Sequence, residues 1–354
     1  MTQKGGFFVE GTLLSREGGC TVSNEQSANG QNVANQIQHR AVQTNGIQMH
    51  IAEQGEGPLV VLLHGFPESW YSWRHQLPAL AAAGYRAVAP DLRGYGQTDR
   101  PIAAEQYSQL HLVGDVIGLL DVLEERQAVL VGHDFGTSVA WNAALMRPDR
   151  IRGVVSLSVP YLPRGPVSAL TAMRGALGDG FYMQYLQQPG IAEAELEQNV
   201  RSSLLRIFHW GFGNSPQAAT PVMPVVPANG KLFDLMPERA ALPGWLTETD
   251  LDHYTAEFSR TGFTGGLNWW RTIDLSWELT APWQGAPMTP PATYIHGDRD
   301  GSTQLPGMDQ LIPNLKYLVP GLTGTTVLPN VGHWTQQEAP GEVNAELLKF
   351  LAGL

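Results

Sequence analysis

The chain has 354 residues, of which 22 are basic and 33 are acidic, so its formal net charge is −11. This negative balance disfavours nucleic acid or an anionic membrane surface as a partner. Hydrophobic residues make up 43% of the chain, enough for a sizeable core, and no apolar run approaches the length of a membrane span. The single cysteine excludes an intrachain disulfide framework and a cysteine-based zinc site, and it is consistent with a reducing compartment such as the cytoplasm.

Residues 1–40 differ from the rest of the chain because they are rich in Gly, Asn, Gln and Ser. Their apolar patch, Phe7 to Val9, is followed at once by Glu10, so the hydrophobic stretch of a secretory signal peptide is missing. We predict a flexible N-terminal extension here, with a strap over the surface of the core as the alternative.

From Gly46 to Pro160 the sequence alternates between strand-like and helix-like segments. IQMHIAEQ alternates apolar and polar residues, and PLVVLLHG, YRAVAPDLRGYG, QAVLVG and RIRGVVSLSVP contain the short apolar runs typical of buried strands. Between them lie segments of helical length, SWRHQLPALAAAG, LHLVGDVIGLLDVLEE and TSVAWNAALM. This alternation predicts a parallel sheet covered by helices.

The alternation stops near residue 160 and returns near residue 283. The stretch between them carries the helical segments VSALTAMRGAL, AEAELEQNVRSSLLRIF and ETDLDHYTAEFSR and the proline-rich TPVMPVVPANG. The strand-like PATYIHGD and TTVLPNVGHW and a closing helix, GEVNAELLKFLAGL, follow. We therefore predict a core of residues 41–159 and 283–354, into which residues 160–282 are inserted as a helical cap.

An aspartate occupies the centre of a G-x-D-x-G sequence at the end of the predicted strand QAVLVG. Two glycines bracket Asp134 in the pattern of a nucleophile elbow, a sharp strand-to-helix turn that exposes its central side chain. An aspartate that precedes a helix can also serve as an N-cap. We interpret Asp134 as a nucleophile because Asp298 and Asp300, and then His333, follow the later strands in the order nucleophile, acid, histidine.

A carboxylate nucleophile favours a saturated carbon that bears a leaving group, because the product is then an ordinary alkyl ester. An epoxide or an alkyl halide meets this requirement, and water activated by His333 as general base can hydrolyse the ester. An acid must orient the histidine, and the spacing does not decide between Asp298 and Asp300. The backbone N–H groups of Phe66 and Phe135 can hold the oxyanion of the hydrolysis step.

The residue after the nucleophile favours an epoxide over a halide. A halide needs only N–H donors, and the side chain of Phe135 provides none. An epoxide oxygen leaves as an alkoxide and needs a proton donor, for which Tyr182, Tyr185 and Tyr254 of the predicted cap are candidates. Packing within the cap is the alternative role for each of these tyrosines.

The chain resembles the soluble epoxide hydrolases of the α/β-hydrolase fold, including the hydrolase domain of the vertebrate soluble enzyme and its bacterial relatives. The likeness runs from about Gly46 to the C-terminus and includes HGFPESWYSWRHQLPAL, DLRGYGQTD, GHDFG, YMQYLQQPGIAEAELEQN, TGFTGGLNWWR, GDRD and GHWTQQEAP. It implies an α/β class fold with a mostly parallel sheet of the eight-stranded type, helices on both faces and an inserted helical cap. It also implies an enzyme that needs no cofactor and no metal and that converts a small apolar epoxide and water to a vicinal diol.

Carried over position by position, the resemblance places the nucleophile on Asp134, the base on His333 and the orienting acid on Asp300. The cap tyrosine that protonates the leaving oxygen falls on Tyr182, which makes Tyr185 a packing residue.

The resemblance also implies contacts with substrate from Phe66, Pro67, Phe135 and Trp270. Phe66 and Phe135 make theirs through the backbone of the oxyanion hole.

Two positions depart from the family pattern. Phe135 stands where the family has tryptophan, and Trp270 stands in NWWR where the family has a second tyrosine. An indole donates one hydrogen bond but cannot release a proton as an acid, so Tyr182 would be the sole acid.

Two other functions stay open. A haloalkane dehalogenase-like hydrolase would use the same nucleophile, and the Trp270 indole would suit a halide, although Phe135 counts against it. A ligand-binding or sensor protein on a hydrolase scaffold would lack part of the catalytic set, and only the changed second tyrosine favours it. Neither nucleic acid nor a membrane is expected as a partner, and a homodimer is the assembly that we consider.

Overall fold

The structure is a computed structural model that describes residues 36–214 and 225–354. Residues 1–35, which are most of the predicted N-terminal extension, lie outside the described residues. Residues 215–224 of the predicted cap, which include the start of the proline-rich TPVMPVVPANG, also lie outside them. The predicted extension ended at residue 40, whereas β1 begins at Gln38.

The described residues form an eight-stranded sheet in the order β1-β2-β4-β3-β5-β6-β7-β8. The strands are β1 (Gln38–Thr44), β2 (Ile47–Gln54), β3 (Leu59–Leu63), β4 (Arg86–Pro90), β5 (Ala128–His133), β6 (Ile151–Leu157), β7 (Ala292–Gly297) and β8 (Leu322–Leu328). β2 pairs antiparallel with β1 and with β4, and all the other neighbours are parallel. The predicted mostly parallel sheet of the eight-stranded type is therefore confirmed.

The α-helices of the described residues surround this sheet or lie between β6 and β7. They are α1 (Gln76–Ala82), α2 (Gln109–Val122), α3 (Phe135–Met146), α4 (Ala169–Leu177), α5 (Tyr182–Tyr185), α6 (Ile191–Leu196), α7 (Val200–Gly211), α8 (Glu248–Thr261), α9 (Thr264–Arg271), α10 (Ile273–Leu279), α11 (Met308–Leu318), α12 (Thr335–Glu338) and α13 (Pro340–Ala352). The segment AEAELEQNVRSSLLRIF, predicted as one helical piece, is divided between α6 and α7. Asn199 is extended there and accepts a hydrogen bond from the Ser202 N–H, so it caps a new helix.

The sheet is buried on both faces, as the apolar runs of its central strands predict. Leu59, Val61 and Leu63 of β3 belong to one core, to which α2 and α3 contribute. Val60 and Leu62 of the same strand belong to a second core, to which α1 and α13 contribute. Successive side chains of a strand point to opposite faces, so these two cores lie on opposite sides of the sheet.

The helices α4 to α10 are inserted between β6 and β7, and no strand of the main sheet lies among the described residues of this insertion. The insertion joins the first core through its own buried side chains, among them Leu204, Phe208, Tyr254 and Trp269. The insertion therefore shares one continuous hydrophobic core with α2 and α3. The loops that follow the parallel strands β3, β5, β6, β7 and β8 meet at one edge of the sheet, which is where such sheets carry their binding sites.

Candidate active site

Asp134 lies at the sharp turn between β5 and α3. Its backbone has φ 50° and ψ −121°, a conformation that L-residues rarely adopt. A Cβ atom on Gly136 would lie 2.0 Å from the Leu63 carbonyl oxygen, and one on Gly65 would lie 2.4 Å from the Asp134 Cβ. Gly136 and Gly65 therefore let the loops after β3 and β5 lie close together. This close packing permits the sharp turn that exposes the carboxylate of Asp134, as a nucleophile elbow requires.

His333 connects the two carboxylates. Its Nε2 lies 3.6 Å from Asp134 Oδ2, and its Nδ1 lies 3.3 Å from Asp300 Oδ1. It belongs to the loop of residues 329–334 between β8 and α12, here called the base loop. The side chain of Asp300 is fully buried, whereas those of Asp134 and His333 are 16% and 17% exposed, so a ligand can reach the latter two.

Asp300 and His333 each shift the pKa of the other in the direction that favours its charged form. Burial alone would lower the pKa of His333, but the charge and hydrogen bond of Asp300, with the charge of Asp134, raise it to about 9. Burial alone would raise the pKa of Asp300, yet the charge and hydrogen bond of His333 hold it well below its usual value. Asp300 is thus an anion that stabilises the imidazolium form of His333.

Asp298, the other acid that the spacing allowed, takes part in a turn. Its Oδ1 accepts a hydrogen bond from the Asn330 N–H at 2.7 Å, and the residue is exposed. It does not approach His333, so the geometry favours Asp300 in the orienting role.

Ser158, which sequence reasoning missed, also contacts the histidine. Its Oγ lies 2.8 Å from His333 Nδ1, closer than the carboxylate of Asp300, and its backbone has φ 71°. A serine after a buried strand carries no recognisable motif. The contact is visible only in the folded sheet, where the end of β6 and the loop after β8 come together.

A buried network holds the base loop beside the elbow. His133 Nδ1 lies 2.6 Å from Glu68 Oε2, and His133 Nε2 lies 2.7 Å from the His333 carbonyl oxygen. Glu68 also accepts from the Gly65 N–H at 3.0 Å, which ties the network to the loop after β3.

The backbone of Phe66 contacts the nucleophile directly. Its N–H donates to Asp134 Oδ1 at 3.1 Å. Phe135 is the first residue of α3, where backbone N–H groups have no partner within the helix. Pro67 follows Phe66 through a cis peptide bond, is buried and does not line the cavity, so it lies outside the wall that a substrate would touch.

A cavity of about 1110 Å³ opens in front of Asp134. Aromatic side chains form much of its wall near the nucleophile. The rings of Phe135 and Tyr182 lie 4.5 Å and 5.4 Å from the Trp270 ring, both in edge-to-face geometry. The part of the cavity near the nucleophile is therefore suited to an apolar ligand, with Asp134 and His333 as its reactive polar groups.

Of the three candidate tyrosines, Tyr182 is the one that lines this cavity. The Tyr185 hydroxyl donates to Glu195 at 2.6 Å, and the Tyr254 hydroxyl donates to Gln337 at 3.1 Å. Burial and the charge of Asp134 raise the pKa of Tyr182 well above its usual value, so its phenol keeps its proton at neutral pH.

Trp270 faces the same cavity from α9. Its indole Nε1 is buried, and no group of residues 36–214 or 225–354 accepts a hydrogen bond from it. The neighbouring Trp269 differs, because its indole N–H donates to the Arg93 carbonyl oxygen at 3.0 Å. A buried donor without a hydrogen-bond partner is costly. The Trp270 N–H is therefore available to donate a hydrogen bond to a ligand atom in the cavity.

No group of three or more His, Cys, Asp or Glu side chains suited to a metal ion occurs in the part of the chain that the structure describes. Within the same residues, none of the helices has the length and apolar character needed to cross a membrane.

The sequence profile of the α/β hydrolase fold family matches residues 58–340. Epoxide hydrolase 3 of Siraitia grosvenorii is 46% identical over 319 residues, which cover 89% of this chain and 98% of the relative. Epoxide hydrolase A of Mycobacterium tuberculosis is 45% identical over 318 residues, 89% of this chain and 97% of the relative.

Solved structures agree with the sequence comparison. An epoxide hydrolase from an endophytic Streptomyces superposes with a TM-score of 0.85 at 46% identity, covering 90% of this chain and 96% of that chain. An epoxide hydrolase of Vigna radiata superposes with a TM-score of 0.82 at 43% identity, covering 90% of this chain and 98% of that chain. The chain belongs to the α/β hydrolase fold family and, within it, to the epoxide hydrolases.

Proposed function

We propose that the protein converts an apolar epoxide and water to a vicinal diol through an alkyl ester on Asp134. The observation that carries this proposal is the arrangement of Asp134 and His333, 3.6 Å apart, in one cavity with the protonated phenol of Tyr182. A carboxylate nucleophile, a base beside it and an acid in the same cavity are the groups that ring opening followed by ester hydrolysis requires.

In the first step Asp134 attacks a carbon of the epoxide. Its Oδ1 is held by the Phe66 N–H, which leaves Oδ2 as the attacking oxygen. The bond between this carbon and the epoxide oxygen breaks, and its electron pair goes to the oxygen. That oxygen takes the proton of Tyr182, while the Trp270 indole N–H can donate a hydrogen bond to it.

In the second step water hydrolyses the ester. His333 takes a proton from the water as its oxygen attacks the ester carbon, and Asp300 stabilises the imidazolium. The oxyanion forms on Asp134 Oδ1, where the backbone N–H groups of Phe66 and Phe135 can hold it. Collapse breaks the bond to the alkoxy oxygen, which takes the proton from His333 and leaves as the diol. Asp134 is left as a carboxylic acid, and its proton returns to the phenolate of Tyr182, which restores both groups for the next turnover.

A variant without the base tests this sequence of events. His333→Gln should form the ester and fail to hydrolyse it, so that mass spectrometry finds Asp134 heavier by the mass of the epoxide. His111→Gln is the matched control, because it makes the same substitution on α2 at a histidine that does not line the cavity. A fully active Asp134→Ala enzyme would exclude the proposal.

A second assay separates the epoxide hydrolase from a dehalogenase. Alkyl halides are assayed beside epoxides, with halide and diol as readouts, and the release of diol alone decides against a dehalogenase.

The organisation of the chain follows from the same proposal. Residues 38–159 and 283–354 act as the catalytic core, since β1 begins at Gln38. Residues 160–282 act as a cap that supplies Tyr182 and Trp270, and the residues before β1 act as an extension. The single cysteine supports a reducing compartment, and we propose the cytoplasm. A homodimer is proposed as the assembly, and light scattering of the purified protein tests it.

A further inference from the structure

The carboxylate of Glu338 binds the backbone on both sides of His333. Its Oε2 accepts from the Gly332 N–H at 3.0 Å, and its Oε1 accepts from the Trp334 N–H at 3.1 Å. Its Oε2 also accepts from the Gly213 N–H at 3.0 Å, just beyond the end of α7. One side chain therefore connects the base loop to the inserted helices.

The base loop and the end of α7 are in direct contact around this carboxylate. The His333 N–H donates to the Gly211 carbonyl oxygen at 2.7 Å, and the Trp334 indole N–H donates to the Phe208 carbonyl oxygen at 2.8 Å. A Cβ atom on Gly332 would lie 2.2 Å from the Gly211 carbonyl oxygen. The two backbones are so close that their relative position depends on the groups that link them.

An ionised carboxylate suits these three donors better than any neutral side chain. It presents two acceptor oxygens, whereas an amide or a protonated carboxyl presents one full acceptor and turns a donor toward the remaining N–H groups. Burial raises the pKa of Glu338 to about 7, although the three backbone hydrogen bonds oppose this shift. A buried charge is costly, and the hydrogen bonds that it receives here are its compensation.

We propose that Glu338 is a positioning residue for His333, holding the base loop against α7 so that the imidazole stays between Asp134 and Asp300. This inference rests on the proposed function, in which His333 is the base of the hydrolysis step. Glu338 touches neither Asp134 nor Tyr182 in the hydrogen bonds of the structure. Its loss should therefore impair ester hydrolysis more than ester formation.

Single-turnover kinetics with a fluorescent or chromogenic epoxide separates these two steps. In Glu338→Gln we expect the rate constant of ester hydrolysis to fall about 10- to 100-fold, because a small misplacement of a reacting group has effects of this size. The rate constant of ester formation should stay within about twofold of the parent value. Glu342→Gln is the matched control, because it removes the same charge from an exposed position in the first turn of α13 and should change neither step.

The outcomes are distinct. Accumulated ester in Glu338→Gln supports the inference. Equal slowing of both steps, or parent-like rates in a folded variant, overturns it. If Glu338→Gln does not fold, Glu338→Asp carries the same test, since it keeps the charge and shortens the reach by one methylene. If the parent enzyme forms no ester on Asp134, the proposed function fails instead, independently of Glu338.

Discussion

At the scale of single residues, the unpaired indole N–H of Trp270 has a measurable consequence. Trp270→Phe keeps an aromatic wall and removes the donor, so in the proposed mechanism the developing alkoxide would lose one hydrogen bond. Such a bond to a charged group contributes about 1.5–3 kcal/mol, which corresponds to about a 10- to 100-fold slower ester formation. Single-turnover measurement of that step checks this.

Trp210→Phe is the control for Trp270→Phe, because it makes the same substitution elsewhere in the cavity wall, with the Trp210 ring 6.1 Å from Tyr182. It should leave ester formation within about threefold of the parent rate. Parent-like ester formation in Trp270→Phe would show that the indole only shapes the cavity. Trp270→Tyr, which adds an ionisable donor, should form the ester at least as fast as the parent.

The charge of Asp134 raises the pKa of His333, so this pKa should change when Asp134 reacts. In the free enzyme the pKa of His333 is raised to about 9, partly by Asp134, so the imidazole is protonated at neutral pH. In the proposed mechanism, ester formation removes the negative charge of Asp134 and with it one cause of the raised pKa of His333. His333 therefore becomes a better base once the ester has formed. The rate of hydrolysis should rise with pH and level off above an apparent pKa that lies below 9.

Asp134→Asn imitates the neutral ester and tests the same reasoning without substrate. NMR titration of His333 should give a lower pKa in this variant than in the parent, because a carboxylate 3.6 Å from Nε2 has been replaced by a neutral amide. An unchanged pKa would show that Asp300 alone sets the charge of the base.

At the scale of elements, the turn from β5 to α3 brings backbone atoms so close together that there is no room for a side chain at Gly136. Gly136→Ala would place a Cβ atom 2.0 Å from the Leu63 carbonyl oxygen, so we expect a misfolded or inactive protein. Gly175→Ala is the matched control, because Gly175 is exposed within α4 and has no atom within 4 Å of an added Cβ. It should stabilise the protein by about 0.5–1 kcal/mol. Thermal unfolding and activity distinguish the two; an active, stable Gly136→Ala would contradict the packing argument.

The elements that the sequence predicts well are those whose burial is encoded locally. The central strands β3, β5 and β7 are buried along their whole length, so their apolar runs are visible in the sequence. β1 was not predicted, because it lies at the edge of the sheet and most of its residues are exposed. Its signal was the Asn45-Gly46 pair, both at positive φ, which forms the tight turn into β2.

In the site, too, the residues that follow buried strands could be predicted, and the contacts that depend on the folded chain could not. Asp134, Asp300 and His333 follow buried strands, and the order of a parallel sheet brings such positions together. The contact of Ser158 with His333 could not be predicted, since it depends on the path of the chain after β6. The free indole N–H of Trp270 likewise depends on the packing of α9 against Phe135, which joins residues far apart in the sequence.

At the scale of the whole molecule, the position of the inserted helices relative to the core decides where Tyr182 and Trp270 lie. Asp250, near the start of α8, links these parts. Its Oδ1 lies 3.0 Å from Arg74 Nε and accepts a hydrogen bond from the Tyr71 hydroxyl at 2.9 Å. The side chains of Asp250 and Arg74 are only 9% and 11% exposed, so solvent screens this ion pair weakly.

Asp250→Ala should therefore destabilise the protein by about 3 kcal/mol, because it leaves the charge of Arg74 buried without its carboxylate and removes a capping interaction with Thr247. Asp252→Ala on the same helix is the control: Asp252 is 70% exposed and pairs with Arg201, so its loss should cost less than about 1 kcal/mol. Urea unfolding gives both values. Ester formation should also slow in Asp250→Ala, since Tyr182 and Trp270 belong to the part that this pair holds in place. Equal unfolding free energies for the two variants would show that other contacts, and not this buried pair, fix the inserted helices on the core.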